Sequence, residues 1–282
     1  MVLLFYLICS LFLSSACSAE NSLPWHAQRY NRDAQRQNGI AQKIVAEYEF
    51  APDKKILDIG CGAGKISTLL AEKVPYGSVI GIDISSSMIK FAQEHYAHIP
   101  NVSFMQHDAT DLAFQDEFDY VTSFFCLHWI QDIKTALAQI VRALKPGGSL
   151  LFIATIDDEQ PIVTAYKAAL LSSRWSDHFK QYAFPLHLIN PKQCKKELAK
   201  LGCSEITYQC IKKFNIFSSC AQFKKHLQAL PIGIEILNES LHNEFLDTVI
   251  DEYLKLYPEN ENGSINYLCP YAIIQAKKMA DD

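Results

Sequence analysis

Short apolar runs alternate with amphipathic stretches along the first half of this 282-residue chain, and that rhythm predicts its architecture. Residues 54–59, 78–83, 101–106, 118–124 and 148–156 read as strands, crowded with apolar and β-branched side chains. The intervening 65–74, 86–97 and 132–143 repeat apolar residues at the period of a helix with one buried face. Strands and helices in strict turn call for a doubly wound parallel α/β sheet. Lys145-Pro146-Gly147-Gly148 closes one helix and turns the chain into the next strand, with Gly where φ must be positive. Ahead of the first strand a helix is expected from about Tyr30 to Tyr48, with Ile40, Ile44 and Val45 on one face. In that place it would cap a small-molecule pocket. After residue 157 the pattern loosens. A helix is expected from Pro161 to about Arg174, then an aromatic-rich segment with Trp175, His178, Phe179, Tyr182, Phe184 and His187. Residues 191–201 form a helix with Asn190 as N-cap and Pro191 in the first position. A strand over 205–214, helices near 219–229 and 238–257, a polar loop over 258–264 and a strand over 266–277 complete the chain.

The densest chemical signal is Ile56-Leu57-Asp58-Ile59-Gly60-Cys61-Gly62-Ala63-Gly64-Lys65, a strand running into a glycine turn that opens a helix. A turn stripped of side chains lets a nucleotide-like ligand lie against backbone N–H groups. The dinucleotide fingerprint would place a third Gly at position 65, and Lys65 stands there. Asp58 lies inside the end of the strand, where a carboxylate costs desolvation unless a cation or donor meets it. An amino-acid ammonium beside a sulfonium is such a partner. Asp83 ends the second strand and suits the two hydroxyls of a ribose. Asp108 leaves the third and suits the exocyclic amine of an adenine. Taken singly, each Asp is as well explained by a helix N-cap or a solvated turn. Three at successive strand ends match ammonium, ribose and adenine in order, at the edge where open α/β sheets bind ligands.

Leu57 to Gly64, Gly81-Ile82-Asp83-Ile84-Ser85, Asp108-Ala109, Phe118-Asp119-Tyr120-Val121 and Leu144-Lys145-Pro146-Gly147-Gly148 together resemble the class I S-adenosylmethionine-dependent methyltransferases. The likeness implies S-adenosylmethionine as cofactor. It also implies a Rossmann-like, seven-stranded, mostly parallel sheet with an antiparallel edge hairpin and a helical lid. Ser123-Phe124-Phe125-Cys126-Leu127-His128-Trp129-Ile130-Gln131-Asp132 is similar to the segment after the fourth strand in juvenile hormone acid O-methyltransferases and their bacterial relatives. So are Trp175-Ser176, Asn190-Pro191, Phe245-Leu246-Asp247 and Tyr267-Leu268-Cys269-Pro270-Tyr271-Ala272. Those enzymes methylate the carboxylate of a small apolar acid. The trans-aconitate and malonyl-carrier-protein methyltransferases share the core and esterify carboxylates too.

Composition narrows the choice. A net charge of −5, with its Lys pairs scattered, argues against a nucleic-acid surface. Seven cysteines follow Cys9 and Cys17 without a C-x-x-C pair or metal-ligand spacing, so we expect reduced thiols and no metal. Residues 1–19 form a hydrophobic leader: Val2 to Leu13 is almost wholly apolar and ends in small residues, but no Lys or Arg precedes it. It reads as a signal-like or membrane-associating segment ahead of a single domain over 20–282, with a core of about 40–157 and a lid with C-terminal strands over 158–282. A cofactor made in the cytosol favours the cytoplasm for the catalytic domain, while the leader leaves membrane association or export open.

Carboxylates titrate at a pKa of about 4 to 5 and need no base at neutral pH. Alignment alone contributes roughly 7–11 kcal/mol, whereas a general base adds about 10²–10⁴-fold. Positioning and water exclusion are therefore the expected tasks. His128 and Trp129, after the fourth strand, are candidate donors to the acceptor's oxygens. By the resemblance, Gln35 on the first helix is a candidate to hold the carboxylate. Tyr30 and Trp25 are further pocket candidates. For the cofactor the candidates are Asp58, Gly60, Gly62, Asp83, Ile84, Asp108 and Ala109, with Phe124 beside the sulfonium. An aromatic-rich lid without an Arg cluster beyond Arg174 suggests an acid with a hydrophobic tail. The alternatives are N- or phenol-O-methylation, with His128 as base, malonyl-carrier-protein methylation, and a cofactor-binding regulator without catalysis.

Overall fold

The computed structural model describes residues 27–228, 230 and 233–280; the leader 1–19 and Trp25 lie outside them. The chain enters through α1 (Ala27–Asp33) and α2 (Gln35–Glu47). The single helix expected here is broken at Ala34, whose φ of −80° and ψ of 36° leave the helical region. The break lets α1 pack Ala27 and Tyr30 on Ala63 and Met88, while Ala41 and Val45 of α2 join Ile66 and Leu70.

There follow β1 (Lys55–Ile59), α3 (Lys65–Lys73), β2 (Ser78–Asp83), α4 (Ser86–Tyr96), β3 (Val102–Gln106), β4 (Phe118–Phe124), α5 (Ile133–Ala143) and β5 (Leu144–Thr155). Capping chemistry fixes the starts of two of these helices. Ser85 Oγ accepts from Met88 N at 3.4 Å, and Asp132 Oδ1 accepts from Thr135 N at 3.1 Å. The second half holds α6 (Pro161–Leu171), α7 (Pro191–Lys200), β6 (Cys203–Ile211), β7 (Phe214–Phe217), α8 (Cys220–Gln228), α9 (His242–Leu256), β8 (Ile265–Leu268) and β9 (Tyr271–Lys278).

Seven strands form one sheet in the order β3-β2-β1-β4-β5-β9-β6. The first five are parallel; β9 runs antiparallel to both β5 and β6. Two expectations need correction. The turn expected at Lys145–Gly148 is a bulge inside β5: Leu144 pairs with Phe118, then the register jumps to Ser149 opposite Tyr120, with Gly147 at φ 76°. The two late strands are each divided. β7 and β8 make a separate two-stranded sheet, and the chain crosses into the main sheet at Cys269-Pro270, where proline cannot donate to a ladder.

Strands covered on both faces must be apolar throughout, which is why Ile56, Leu57 and Ile59 are fully buried. α5 completes one face with Ala136, Leu137, Ile140 and Val141, the helical spacing anticipated from sequence. A second apolar cluster gathers Tyr166 of α6, Phe223 of α8, and Phe245 and Tyr253 of α9 around Trp175. The indole Nε1 of Trp175 donates to Thr248 Oγ1 at 2.9 Å. Each such side chain contributes about 1.5–3 kcal/mol on burial, so this helical layer has its own core over the carboxyl edge of the sheet. Among the described residues, no helix is long and apolar enough to cross a membrane.

Candidate functional site

The glycine turn between β1 and α3 holds Gly60, Gly62 and Gly64 at φ of 68°, 54° and 87°. At Gly60 space is decisive as well: a Cβ there would stand 2.1 Å from Cys126 Sγ. At Gly62 only the backbone conformation demands glycine, for the nearest atom to a Cβ would be Tyr30 Cε1 at 3.6 Å. The turn is pinned to the next strand by Cys61 N donating to Ile82 O at 2.9 Å.

Asp58 is 1% exposed and accepts from Ser67 Oγ at 2.6 Å and Thr122 Oγ1 at 3.0 Å. Burial pushes its carboxyl up from 3.8 to about 6, the two hydroxyls oppose that rise, and the charge of Asp83 adds to it. Among the described residues no Lys or Arg pairs with it, so this carboxylate lacks a cation. Asp83 ends β2 and is committed on both oxygens. Oδ2 accepts from Gly62 N and Oδ1 from Ser85 N, both at 2.9 Å. Burial raises its carboxyl as well. Asp108 is exposed and caps its own turn, Oδ1 accepting from Thr110 N and Oγ1 at 2.8 Å.

All three carboxylates line one cavity of about 1280 Å³, together with Gly60, Gly62, Ile84, Ala109 and Phe124. Ile84 is 46% exposed, an aliphatic side chain laid bare at the rim. A small-molecule site usually spans about 300–1,000 Å³, so this volume leaves room for a second ligand. The far wall comes from the turn after β4. Phe125 has φ 57°, a left-handed conformation costing a bulky residue about 1–2 kcal/mol. That kink leads into a 3-10 turn, Leu127–Trp129, which sets the indole of Trp129 in the cavity wall.

His128 faces the other way. It is 4% exposed, and its Nδ1 accepts from Thr155 N at 3.2 Å. Burial drives its pKa down to about 3, with the Arg36 cation adding to the effect. Its ring lines a smaller chamber of about 60 Å³ behind Trp129, not the large cavity. Gln35 enters neither: it is exposed, and its Nε2 reaches only Arg32 O at 3.5 Å. The correction is one to two residues of helical register. A step along an α-helix turns a side chain by about 100°, so Arg36 and Gln37 are the ones that line the chamber. Tyr30 lines both spaces, and burial with the charge of Asp83 pushes its phenol up, keeping the proton on. Residues that sequence reasoning missed are Arg36, Phe125, Gln160 and Tyr166. Only Arg36 carried a signal, as the neighbour of Gln35.

A family model described as a methyltransferase domain matches residues 56–148. Juvenile hormone acid O-methyltransferase of Bombyx mori is 30% identical over 210 residues, 70% of this chain and 73% of that one. The Drosophila melanogaster enzyme of the same name is 28% identical over 271 residues, 90% of each chain. The crystal structure of the YcgJ protein from Bacillus has the same fold, with a TM-score of 0.60 at 21% identity over 88% of this chain and all of that one.

Proposed function

This chain belongs to the class I S-adenosylmethionine-dependent methyltransferases, and we propose that it esterifies the carboxylate of a small apolar acid. S-adenosylmethionine is its cofactor and supplies an electrophilic methyl on a good leaving group. The residues in hand fit that molecule. Asp58 lacks a cation and would take the ammonium; Asp83, tied to Gly62 and Ser85, would hold the ribose hydroxyls; Asp108, Ala109 and Ile84 would frame the adenine. Phe124 would stand near the sulfonium, where a ring face tolerates positive charge.

The observation that carries the carboxyl reading is the state of His128. A phenol must shed a proton to be methylated, and an ammonium must shed one before its nitrogen can attack. His128 is the base candidate at the end of β4. Its Nδ1 lone pair is occupied and its pKa lies near 3, so it resists taking a proton. A carboxylate makes no such demand. One of its oxygens would take the methyl that the bound cofactor supplies, the carbon–sulfur electron pair would stay with sulfur, and no proton would need to move. What the protein must then provide is alignment and dryness. Trp129, Phe125, Phe184 and Tyr30 offer rigid walls, with the indole N–H of Trp129 as a donor to the acceptor. The two juvenile hormone acid O-methyltransferases support the same acceptor class.

The test is incubation of the full-length protein with methyl-labelled cofactor and separate panels of fatty, terpenoid and tricarboxylic acids, amines and phenols. Base-labile label on an apolar acid is the expected result. Label on amines or phenols alone would overturn the reading.

A further inference from the structure

The chamber behind Trp129 concentrates polar atoms that have no partner. Four buried atoms among the described residues stand without a hydrogen bond on its walls: Arg36 Nε, Gln37 Oε1, Gln160 Oε1 and Tyr166 OH. A buried polar atom left unmet costs about 1–3 kcal/mol, more beside a charge, so four in one place imply an occupant. The donors among them are Arg36 Nε–H and the Tyr166 hydroxyl, whose proton burial secures by pushing its phenol well up.

Arg36 is held for such a task. Its Nη2 donates to Cys269 O at 2.8 Å, and its guanidinium lies 5.9, 5.7 and 6.0 Å from the ring centroids of Phe125, Tyr267 and Tyr271. Among the described residues no carboxylate pairs with it. A cation caged by rings and one carbonyl, with its buried Nε–H unmet, calls for an anion. Gln160 is fixed the same way: its Nε2 donates to Ile156 O at 2.9 Å and Pro270 O at 3.2 Å, leaving Oε1 to accept. A water needs about 10–15 Å³, so about 60 Å³ holds a carboxylate head and a bridging water on Gln160, but no long tail. The chamber and the large cavity share Tyr30, Phe125, Trp129 and Phe184, so a head seated here abuts the methyl-donor side.

We propose that the acceptor's carboxylate docks in this chamber against the Nε–H of Arg36, with the Tyr166 hydroxyl as second donor. The inference rests on the carboxyl reading above and adds the residue that enforces it. It also carries a kinetic signature. Transfer consumes the charge on the carboxylate, so its contact with Arg36 is stronger before the reaction than at its summit. Arg36 is therefore a positioning and selectivity residue that holds the ground state, and its loss should raise KM without lowering kcat.

The test compares wild type with Arg36→Met and Arg36→Lys on dodecanoate, a terpenoid acid and a tricarboxylate. In parallel, binding of dodecanoate and of dodecanamide is titrated in the presence of the demethylated cofactor. Expected for Arg36→Met is a rise of about 10- to 100-fold in KM, the worth of a hydrogen bond to a charged group, with kcat held or raised. The preference for acid over amide should collapse in step, and Arg36→Lys should recover part of it. Because Arg36 also ties down Cys269, a loosened fold would weaken acid and amide alike; that outcome overturns the inference. Ester formation with an unchanged KM in Arg36→Met overturns it while leaving the carboxyl reading intact. Neither turnover nor binding of any acid by wild type overturns both.

Discussion

Asp58 should make cofactor affinity depend on pH in a range where sulfonium and ammonium do not titrate. Its carboxyl rises from 3.8 to about 6 in the free protein, chiefly by burial. At 1.36 kcal/mol per unit, that rise is about 3 kcal/mol. The sign follows from linkage. A group raised in the folded state favours folding while protonated, and that contribution fades as pH climbs toward 6. The cofactor-free protein near neutrality therefore holds an ionised Asp58 at a cost of about 3 kcal/mol, which a bound ammonium would offset. Below about pH 6 each unit should weaken binding close to tenfold, because a proton must first be expelled. Asp58→Asn removes the charge while keeping the shape. It should stabilise the empty protein at about pH 7.5 by up to about 3 kcal/mol and weaken the cofactor by about 3–5 kcal/mol, the cost of stripping one partner from a buried ion pair. Asp83 is raised in the same direction, so a shallower slope should survive in Asp58→Asn. Calorimetry at several pH values, in two buffers of different ionisation enthalpy, reads affinity and proton release together; thermal melts read the stability. Affinity that stays level down to about pH 5, or an Asp58→Asn protein that binds like wild type, would refute the reasoning.

Two further perturbations follow from the same geometry. Gly60→Ala sets a Cβ 2.1 Å from Cys126 Sγ at a φ of 68°, and we expect it to cost about 2–4 kcal/mol, with cofactor binding lost. Adding Cys126→Gly should restore the part due to overlap, and wild-type urea stability in Gly60→Ala alone would contradict the account. His128 is neutral in the fold with its pKa lowered from 6.5 to about 3, so its contribution is intact above pH 6.5 and drains away as pH falls. Between about pH 6.5 and 5 the protein should lose about 2 kcal/mol that His128→Gln retains, and kcat should stay level from about pH 6.5 to 9 because a carboxylate acceptor needs no base. An ascending kcat limb in that range, abolished by His128→Gln, would restore the histidine as a base.

What could be read from sequence follows the physics of burial. The central strands are covered on both faces, so their apolar runs have sharp ends: Ser78–Asp83 and Phe118–Phe124 fall where pattern placed them. Asp58 and Asp83 are visible in the sequence because an Asp closing an apolar run needs a reason. Legibility ends where position depends on contacts distant in the chain. Nothing local in residues 266–277 shows that Ile265–Leu268 leaves the main sheet to pair with Phe214–Phe217. On α2 the difference between Gln35 and Arg36 is a rotation, and periodicity cannot fix rotation when a helix is kinked at its N-terminus. His128 was legible as a residue and not as a chemical state, since Thr155 engages its Nδ1 from the far end of β5.

The site's two unmatched charges, Asp58 buried and Arg36 half-buried, sit where a fold would ordinarily avoid them. Among the described residues no cation pairs with Asp58 and no anion with Arg36, and on the proposed reading one reactant would meet each: the ammonium Asp58, the acceptor's carboxylate Arg36. Transfer to a carboxylate would erase the opposite charges on those reactants, the sulfonium and the carboxylate, leaving a thioether and an ester. A reaction that loses charge is favoured by a dry setting, where separated ions are costly and neutral products are not. The aromatic partition of Tyr30, Phe125, Trp129 and Phe184 keeps the setting dry at the point of transfer. On this reading Asp58 would hold the far end of the cofactor and Arg36 one side of the carboxylate, while the aromatic walls keep water from the sulfur and the attacking oxygen. The same arrangement would give product release a direction, because an ester would no longer answer the guanidinium of Arg36.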